Sequence, residues 1–376
     1  VSTTGSERVA VGSIPTESVE RLPGPDVVRA LALVGVVVMN YHGYLILRGA
    51  EPGAGWTTEV FDPWTGPLAT RFAATFVLVA GVGVTLLTRG VVAARTSDPA
   101  AVTEMRWRLV RRGLFLYALG LLLDEIWPGT IIPYYGAMFV LAAGMFTLRS
   151  RWILAIGAGA AAAAAALQVW IFEQRENEES TTWLTSPAED SVQRYAFDVF
   201  VNGTHPLLPW CVFFCVGIVL GRVLMTRWWR PAALAAGFVL YSTAVMISST
   251  ATTRFELLTL STDPFDRGLI YVASALGTAL IAFAAISWIA DRLVATHRAV
   301  VDPFRRAGQM TLTIYVAHIL VFNFVVDWID AVEPAGVGTA LAFAFAFWAA
   351  AIVFATLWNR RFGRGPLERV YRAVGG

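Results

Sequence analysis

The sequence predicts an all-α polytopic membrane protein of about ten transmembrane helices with both termini cytoplasmic. Three observations carry this. Hydrophobic residues make up 56% of the 376-residue chain and charged residues only 15%, a balance too apolar for water to be the main solvent. Apolar stretches of about 20 residues, the span of a bilayer core, recur along the chain. Arginines gather in every second loop between them, as the positive-inside rule requires.

Residues 1–26 are rich in Ser, Thr, Glu and Gly and lead to Pro23-Gly24-Pro25 without the apolar core of a signal peptide. They read as a cytoplasmic polar tail. The spans then fall at 27–48, 67–88, 109–126, 131–148, 152–172, 207–224, 231–250, 268–290, 309–326 and 337–358, so the bundle covers 27–358. After the second span come Arg89, Arg95, Arg106, Arg108, Arg111 and Arg112; Arg149 and Arg151 follow the fourth, and Arg222, Arg227 and Arg230 the sixth. Arg292, Arg298, Arg305 and Arg306 follow the eighth, and residues 359–376 form a basic cytoplasmic tail. The alternate loops are acidic or neutral, the longest at about 173–206. That external loop either caps a site opening to its face or is a solvated linker. The charge pattern makes this an integral, multi-pass protein of the plasma (inner) membrane.

The net charge of +2 sits in short loops and forms no basic face, so nucleic acid is not a partner. The chain has no lysine, which removes Schiff-base mechanisms. The two cysteines, Cys211 and Cys215, lie one turn apart in an apolar segment; they read as helix-core thiols, and no metal site is expected. No P-loop, zinc motif or Gly-x-Ser-x-Gly elbow occurs, which speaks against nucleotide hydrolysis.

Ionisable and polar groups inside spans are costly and each needs a partner or a role. The first span opens with Asp26 and Arg29 and closes with Met39-Asn40-Tyr41-His42-Gly43. Asp26 reads as an N-cap or a site residue, and Arg29 as a snorkelling or a binding group. Asn40 and His42 point to different sides of an ideal helix and converge only if it unwinds at Gly43. His42 is a candidate general base or an interfacial, hydrated histidine. Asp62 and Arg71 follow, with Arg71 suited to a carboxylate, a phosphate or lipid headgroups. Gly81 and Gly83 permit close approach of a helix or a ligand. The sixth span is announced by Asn202-Gly-Thr-His205-Pro206-Leu-Leu-Pro209-Trp210, where Asn202 opens a weak glycosylation sequon. In the ninth span, His318 lies near mid-membrane with Tyr315 one turn earlier on the same side; it reads as structural or catalytic.

Several segments together resemble the YeiB family of bacterial membrane proteins. They are Arg29-Ala-Leu-Ala-Leu-Val-Gly35, Thr75-Phe-Val-Leu-Val-Ala-Gly-Val-Gly83, Arg111-Arg112-Gly113, Ile132-Pro-Tyr-Tyr135, Pro206-Leu-Leu-Pro-Trp210, Gly308-Gln-Met-Thr-Leu-Thr-Ile-Tyr315 and Gly365-Pro-Leu-Glu368. That family looks related to the transmembrane heparan-glucosaminide N-acetyltransferases and, more remotely, to membrane acyltransferases that decorate glycans. The resemblance spans nearly the whole chain and implies transfer of an acyl, acetyl-like group from cytoplasmic acyl-CoA to an extracytoplasmic glycan or lipid-linked acceptor. Met39-Asn40-Tyr41 is similar to the segment holding the family's functional asparagine. The family histidine lies farther along the next loop, where this chain has Glu51 to Trp64 and no histidine.

The resulting expectation is an acyltransferase using acetyl-CoA or another acyl-CoA. Arg29, Arg108, Arg111 and Arg112 hold the donor. His42, alone or with His318, takes the acceptor proton, and Asn40 or Tyr315 stabilises the oxyanion. Arg71, Asp62, Tyr315, His205 and Trp210 contact the acceptor. Membrane lipid surrounds the bundle, and a homodimer is one assembly left open. A transporter or lipid flippase, using the same polar groups to line a path, is the competing expectation.

Overall fold

A computed structural model describes residues 23–51, 53–188 and 191–376. Among them the chain is all helical: α1 (Pro23–Leu47), α2 (Trp56–Val60), α3 (Arg71–Ala93), α4 (Pro99–Asp124), α5 (Ile132–Met145), α6 (Ser150–Glu176), α7 (Thr182–Thr185), α8 (Val192–Phe197), α9 (Leu207–Val223), α10 (Trp229–Ser248), α11 (Arg254–Thr259), α12 (Leu269–Thr296), α13 (Arg298–Gly308), α14 (Thr311–Phe322), α15 (Val337–Phe362) and α16 (Pro366–Gly375). Two π-helical turns, Asp198–Asn202 and Asn323–Trp328, follow α8 and α14.

Each of the ten predicted stretches lies on a helix. Among the described residues, seven helices are long and apolar enough to cross a membrane, and Val192–Asn202 with Leu207–Val223, bent by 54°, makes an eighth if the pair is one span. The two that remain are α4, whose first half carries Arg106, Arg108, Arg111 and Arg112, and α5, whose 14 residues reach only about 21 Å at helical rise.

α1 is the axis of the bundle, packed against α3, α12, α13, α14 and α15. Pro23 and Pro25 begin it, where a missing N–H costs nothing. Leu33, Val37, Tyr41 and Leu45 are fully buried, an i, i+4 stripe that only a continuous helix presents. α1 runs unbroken through Gly43 to Leu47, so the expected unwinding that would bring Asn40 and His42 together does not occur.

Several close helix contacts are made through paired glycines, as close packing in a membrane favours. A Cβ on Gly217 of α9 would stand 2.0 Å from the Leu78 carbonyl oxygen of α3, and one on Gly81 would stand 2.2 Å from that of Phe214. Gly113 of α4 and Gly136 of α5 meet in the same way. Arg222, read from sequence as a loop charge, donates to the carbonyls of Phe146 at 2.9 Å and Leu148 at 2.8 Å, capping the end of α5.

Three expectations about the segments outside the bundle change. The polar tail falls largely on residues outside those described, and Pro23 to Asp26 are already the first turn of α1. The external loop at 173–206 contains the end of α6, α7, α8 and a π-turn. Residues 359–376 are not a tail: α15 continues to Phe362, and α16 folds back onto α4 and α14. Leu367 and Tyr371, one turn apart on α16, pack against the core.

Candidate functional site

Two cavities lie toward opposite ends of α1. The larger, about 560 Å³, involves Asp26 and Arg29 at the start of that helix. The smaller, about 170 Å³, involves Met39, Asn40, Gly43 and Tyr44 near its end. Tyr315 and Ile131 line both. Arg29 and Asn40 are 11 positions apart, about 16 Å along a helix.

Five arginines, Arg29, Arg89, Arg112, Arg364 and Arg372, line the larger cavity against two carboxylates, Asp26 and Glu368. Phe76, Leu116, Ile132 and Phe139 supply its apolar wall. Arg29 donates to Asp26 Oδ1 and to the Gly308 carbonyl, both at 3.4 Å. Gly83 leaves room for it, because a Cβ there would come within 3.3 Å of the Arg29 guanidinium. Asp26 also accepts from the Gln309 amide at 2.9 Å. The Arg112 guanidinium stands 5.1 Å from the Tyr371 ring centre, and its buried Nε has no hydrogen-bond partner among the described residues.

α16 contributes more than a wall. Glu368 accepts from the backbone amides of Leu312 at 2.8 Å and Thr313 at 3.1 Å and from the Thr313 hydroxyl. It thereby caps α14, the helix that carries Tyr315 and His318. Burial pushes the Glu368 carboxyl above its ordinary range, and the hydrogen bonds from Thr313 and Leu312 oppose that shift.

Between the cavities, the Tyr315 hydroxyl accepts from the Ile131 amide at 3.2 Å and bonds the Thr130 hydroxyl at 3.1 Å. These bonds tie α14 to the turn between α4 and α5. His318, one turn later, is fully buried. Its Nδ1 bonds the Tyr315 carbonyl, so this nitrogen carries the proton and Nε2 accepts from the Asn40 amide at 3.1 Å; the tautomer follows from the hydrogen-bond network. Trp127 stacks on Tyr44 and presents its edge to His318, closing the space behind the pair.

Of the residues expected at the site, the structure brings together Asn40, Tyr315 and His205 around the smaller cavity, with His318 behind Asn40, and Arg29 and Arg112 at the larger. The others lie elsewhere. His42 is fully buried and donates from Nδ1 to the Phe61 carbonyl at 2.7 Å, holding the loop after α1; it lines neither cavity. Two residues from Asn40 on an intact helix, it points about 200° away. Asp62 accepts from the amides of Trp64 at 2.9 Å and Thr65 at 2.7 Å. Burial alone would raise its carboxyl, but these amides outweigh it and hold the group below its ordinary range; the turn so formed places Trp64 in the smaller cavity. Arg71 donates to the Thr262 carbonyl at 3.1 Å and lies over Tyr271. Trp210 is buried and packs its ring against His205 at 4.6 Å. Arg108 pairs with Glu104 at 3.2 Å, and Arg111 donates to the Gly375 carbonyl at 3.1 Å; neither reaches the larger cavity. The Asn202 side chain donates to the Leu184 carbonyl at 2.6 Å, which makes it a brace between α7 and the turn before α9.

Sequence reasoning passed over Arg89, Arg364, Arg372, Glu368 and Tyr371. The available signal was Leu367 with Tyr371, an apolar pair at helical spacing inside a segment read as a basic tail.

A helical bundle with a cationic cavity at one end, a small aromatic-walled cavity at the other and one tyrosine between them defines a polytopic membrane protein with two access routes to one wall. Residues 21–253 match the family described as heparan-alpha-glucosaminide N-acetyltransferase, catalytic, and residues 222–375 match the family described as protein of unknown function, DUF418. The chain belongs to the heparan-alpha-glucosaminide N-acetyltransferase catalytic family, and both matches agree with the YeiB-like resemblance carried by its motifs. No curated protein matches it.

Proposed function

We propose that this protein is a membrane acetyltransferase that takes an acetyl group from acyl-CoA at its arginine-rich, cytoplasmic end and passes it to an amine or hydroxyl of an extracytoplasmic sugar or lipid-linked sugar. The observation that carries the reading is Tyr315, which lines both cavities. A thioester entering from one side and an acceptor entering from the other meet at this residue. Such an arrangement moves the acetyl group across the wall while neither large molecule crosses it.

Each cavity suits its half of the reaction. Arginines bind phosphates through planar, multidentate hydrogen bonding, and Arg29, Arg89, Arg112, Arg364 and Arg372 line the larger cavity beside apolar surface for a pantetheine arm. The smaller one has Tyr44, Trp64, Phe72 and Trp127 in its wall, apolar faces for one sugar ring. The acceptor nitrogen or oxygen attacks the thioester carbon, the new C–N or C–O bond forms, and the C–S bond breaks. Coenzyme A leaves as the thiol after gaining a proton. Asn40 and Tyr315 donate to the thioester oxygen as it becomes an oxyanion. His318 is a positioning residue that holds the Asn40 amide by its Nε2.

The experiment is release of CoA thiol from acetyl-CoA by the purified protein in lipid nanodiscs, with glucosamine as acceptor and label from the acetyl group followed onto its nitrogen. Labelled N-acetyl product supports the reading. The carrier or flippase reading draws on the same pair of cavities separated by a wall. Movement of acetyl-CoA or a lipid across proteoliposomes with every bond intact, and no thiol released, would establish it instead.

A further inference from the structure

The acceptor must lose a proton as it attacks. Building on the acetyl-transfer reading above, we infer that the group that takes it is His205, acting as general base in the smaller cavity. The chain has four histidines. His318 lines neither cavity, and both of its ring nitrogens are engaged, by the Tyr315 carbonyl and the Asn40 amide. His42 faces the Phe61 carbonyl, away from both cavities. His297 is exposed at the end of α12, bonded to the Thr296 hydroxyl at 2.8 Å. His205 lines the smaller cavity together with Asn40 and Tyr315.

The state of its ring supports the assignment. Nδ1 of His205 is buried without a hydrogen-bond partner among the described residues. A desolvated nitrogen left unpaired is unfavourable, and native proteins keep such groups where a ligand or water completes them. Among the described residues no carboxylate lines this cavity, and its other titratable residues are Tyr44 and Tyr315. Tyr44 donates to the Pro128 carbonyl, and Tyr315 is held by Ile131 and Thr130. An imidazole with an uncommitted lone pair is the base this cavity offers.

The imidazole is also fixed in place. Its ring packs against Trp210 at 4.6 Å and Tyr134 at 5.9 Å between ring centres. The preceding turn is pinned by Arg267, which donates to the carbonyls of Asn202 at 2.7 Å and Gly203 at 2.9 Å. The Thr204 amide donates to the Tyr134 hydroxyl at 3.2 Å. Around it stand Tyr134 and the Arg267 cation, with Tyr44 and Tyr315 across the cavity, and Asp124 and Asp198 act on Tyr134 from farther out. Burial first, and then the nearby Arg267 cation, disfavour the imidazolium, so the resting ring is neutral.

In the step itself, the acceptor nitrogen forms the C–N bond while its proton passes to a ring nitrogen of His205. The thiolate departs into the larger cavity and takes a proton from water there, and His205 returns its proton to external water. The test uses the full chain in nanodiscs with acetyl-CoA and glucosamine. His205→Ala is expected to lower turnover about 100- to 10,000-fold, the range of general-base catalysis, with acetyl-CoA binding within about twofold of wild type. His205→Gly is expected to regain turnover when imidazole is added, with the acid limb of the pH–rate profile shifting to follow the added base. Turnover of His205→Ala within about threefold of wild type, or no rescue of a folded His205→Gly that still binds acetyl-CoA, overturns the assignment. Absence of thiol release from the wild-type protein itself overturns the acetyl-transfer reading instead, so the two failures are distinguishable.

Discussion

Asn40 and His318, 278 residues apart in sequence, meet through an amide-to-imidazole hydrogen bond of 3.1 Å in the middle of the bundle. The bond has a direction. Because His318 spends its Nδ1 proton on the Tyr315 carbonyl, Nε2 can only accept, and the Asn40 amide nitrogen must turn toward it. The Asn40 amide is thus oriented by His318 at the wall of the cavity that Asn40 lines. Tyr41, next to Asn40, donates to the His318 carbonyl at 3.1 Å, so adjacent residues of α1 grip both the ring and the backbone of the same histidine.

This coupling predicts non-additive kinetics. Asn40→Ala removes an oxyanion donor and should lower kcat about 100- to 1000-fold, the usual effect of such a loss. His318→Ala should cost less, because Asn40 stays but is no longer held. If His318 acts through Asn40, the double variant should be no slower than Asn40→Ala alone. Kinetics of the three variants on acetyl-CoA and glucosamine decide this; effects that multiply in the double variant would show that His318 has an independent role.

The arginines separate by geometry. Arg112→Gln should raise the dissociation constant for acetyl-CoA about tenfold, the effect of losing one charge-assisted phosphate contact. Arg108→Gln and Arg111→Gln should leave it within about twofold, since those side chains pair with Glu104 and the Gly375 carbonyl. Titration of the three purified variants with CoA by calorimetry checks the order. Equal weakening by all three would place the phosphates outside the larger cavity.

How much of this was legible from sequence follows from what one dimension encodes. The helices were, because apolar length and loop charge are local properties. Asn40, Tyr315 and His318 stood out because a polar group in an apolar span is costly. Spacing put His42 and Asn40 on different sides of a helix but left open an unwinding at Gly43 that would join them, and the unbroken helix through Gly43 closes that option. Arg108, Arg111 and Arg112 look equivalent in sequence; it is the contact of Arg112 with Tyr371, 259 positions later, that selects it. α16 was hidden by composition, since five arginines between 360 and 372 read as a solvated tail even though Leu367 and Tyr371 share a face.

Glu368 gives a pH signature. Its carboxyl is raised by burial above its unfolded value near 4.5, so the folded state holds the proton more tightly than the unfolded state. The resulting stabilisation is full below the unfolded pKa and is lost as pH rises through the higher folded one. Thermal unfolding should therefore show a wild-type stability that declines with pH above about 4.5 relative to Glu368→Gln, which keeps an acceptor for the α14 amides and carries no titrating group. Parallel curves for the two proteins across that interval would show that Glu368 titrates normally.

Gly217 of α9 and Gly83 of α3 face different neighbours and predict opposite phenotypes. Gly81 meets the backbone of α9, where Gly217 is its counterpart, and a Cβ on Gly217 would lie 2.0 Å from the Leu78 carbonyl oxygen. Backbone cannot step aside, so Gly217→Ala should separate α3 from α9 and destabilise the protein by about 1–3 kcal/mol, the usual range for overpacking. Gly83 faces the larger cavity, and its added Cβ would meet only the end of the Arg29 side chain at 3.3 Å. A flexible side chain can shift by a few tenths of an ångström, so Gly83→Ala should unfold at the wild-type temperature. Arg29 would then move off Asp26 and the Gly308 carbonyl, which it reaches only at 3.4 Å, and acetyl-CoA affinity should fall a few-fold. Melting temperature and CoA binding measured on both variants separate the two effects. A Gly83→Ala protein that melts early but binds CoA normally would mean that this glycine serves helix packing and not the cavity.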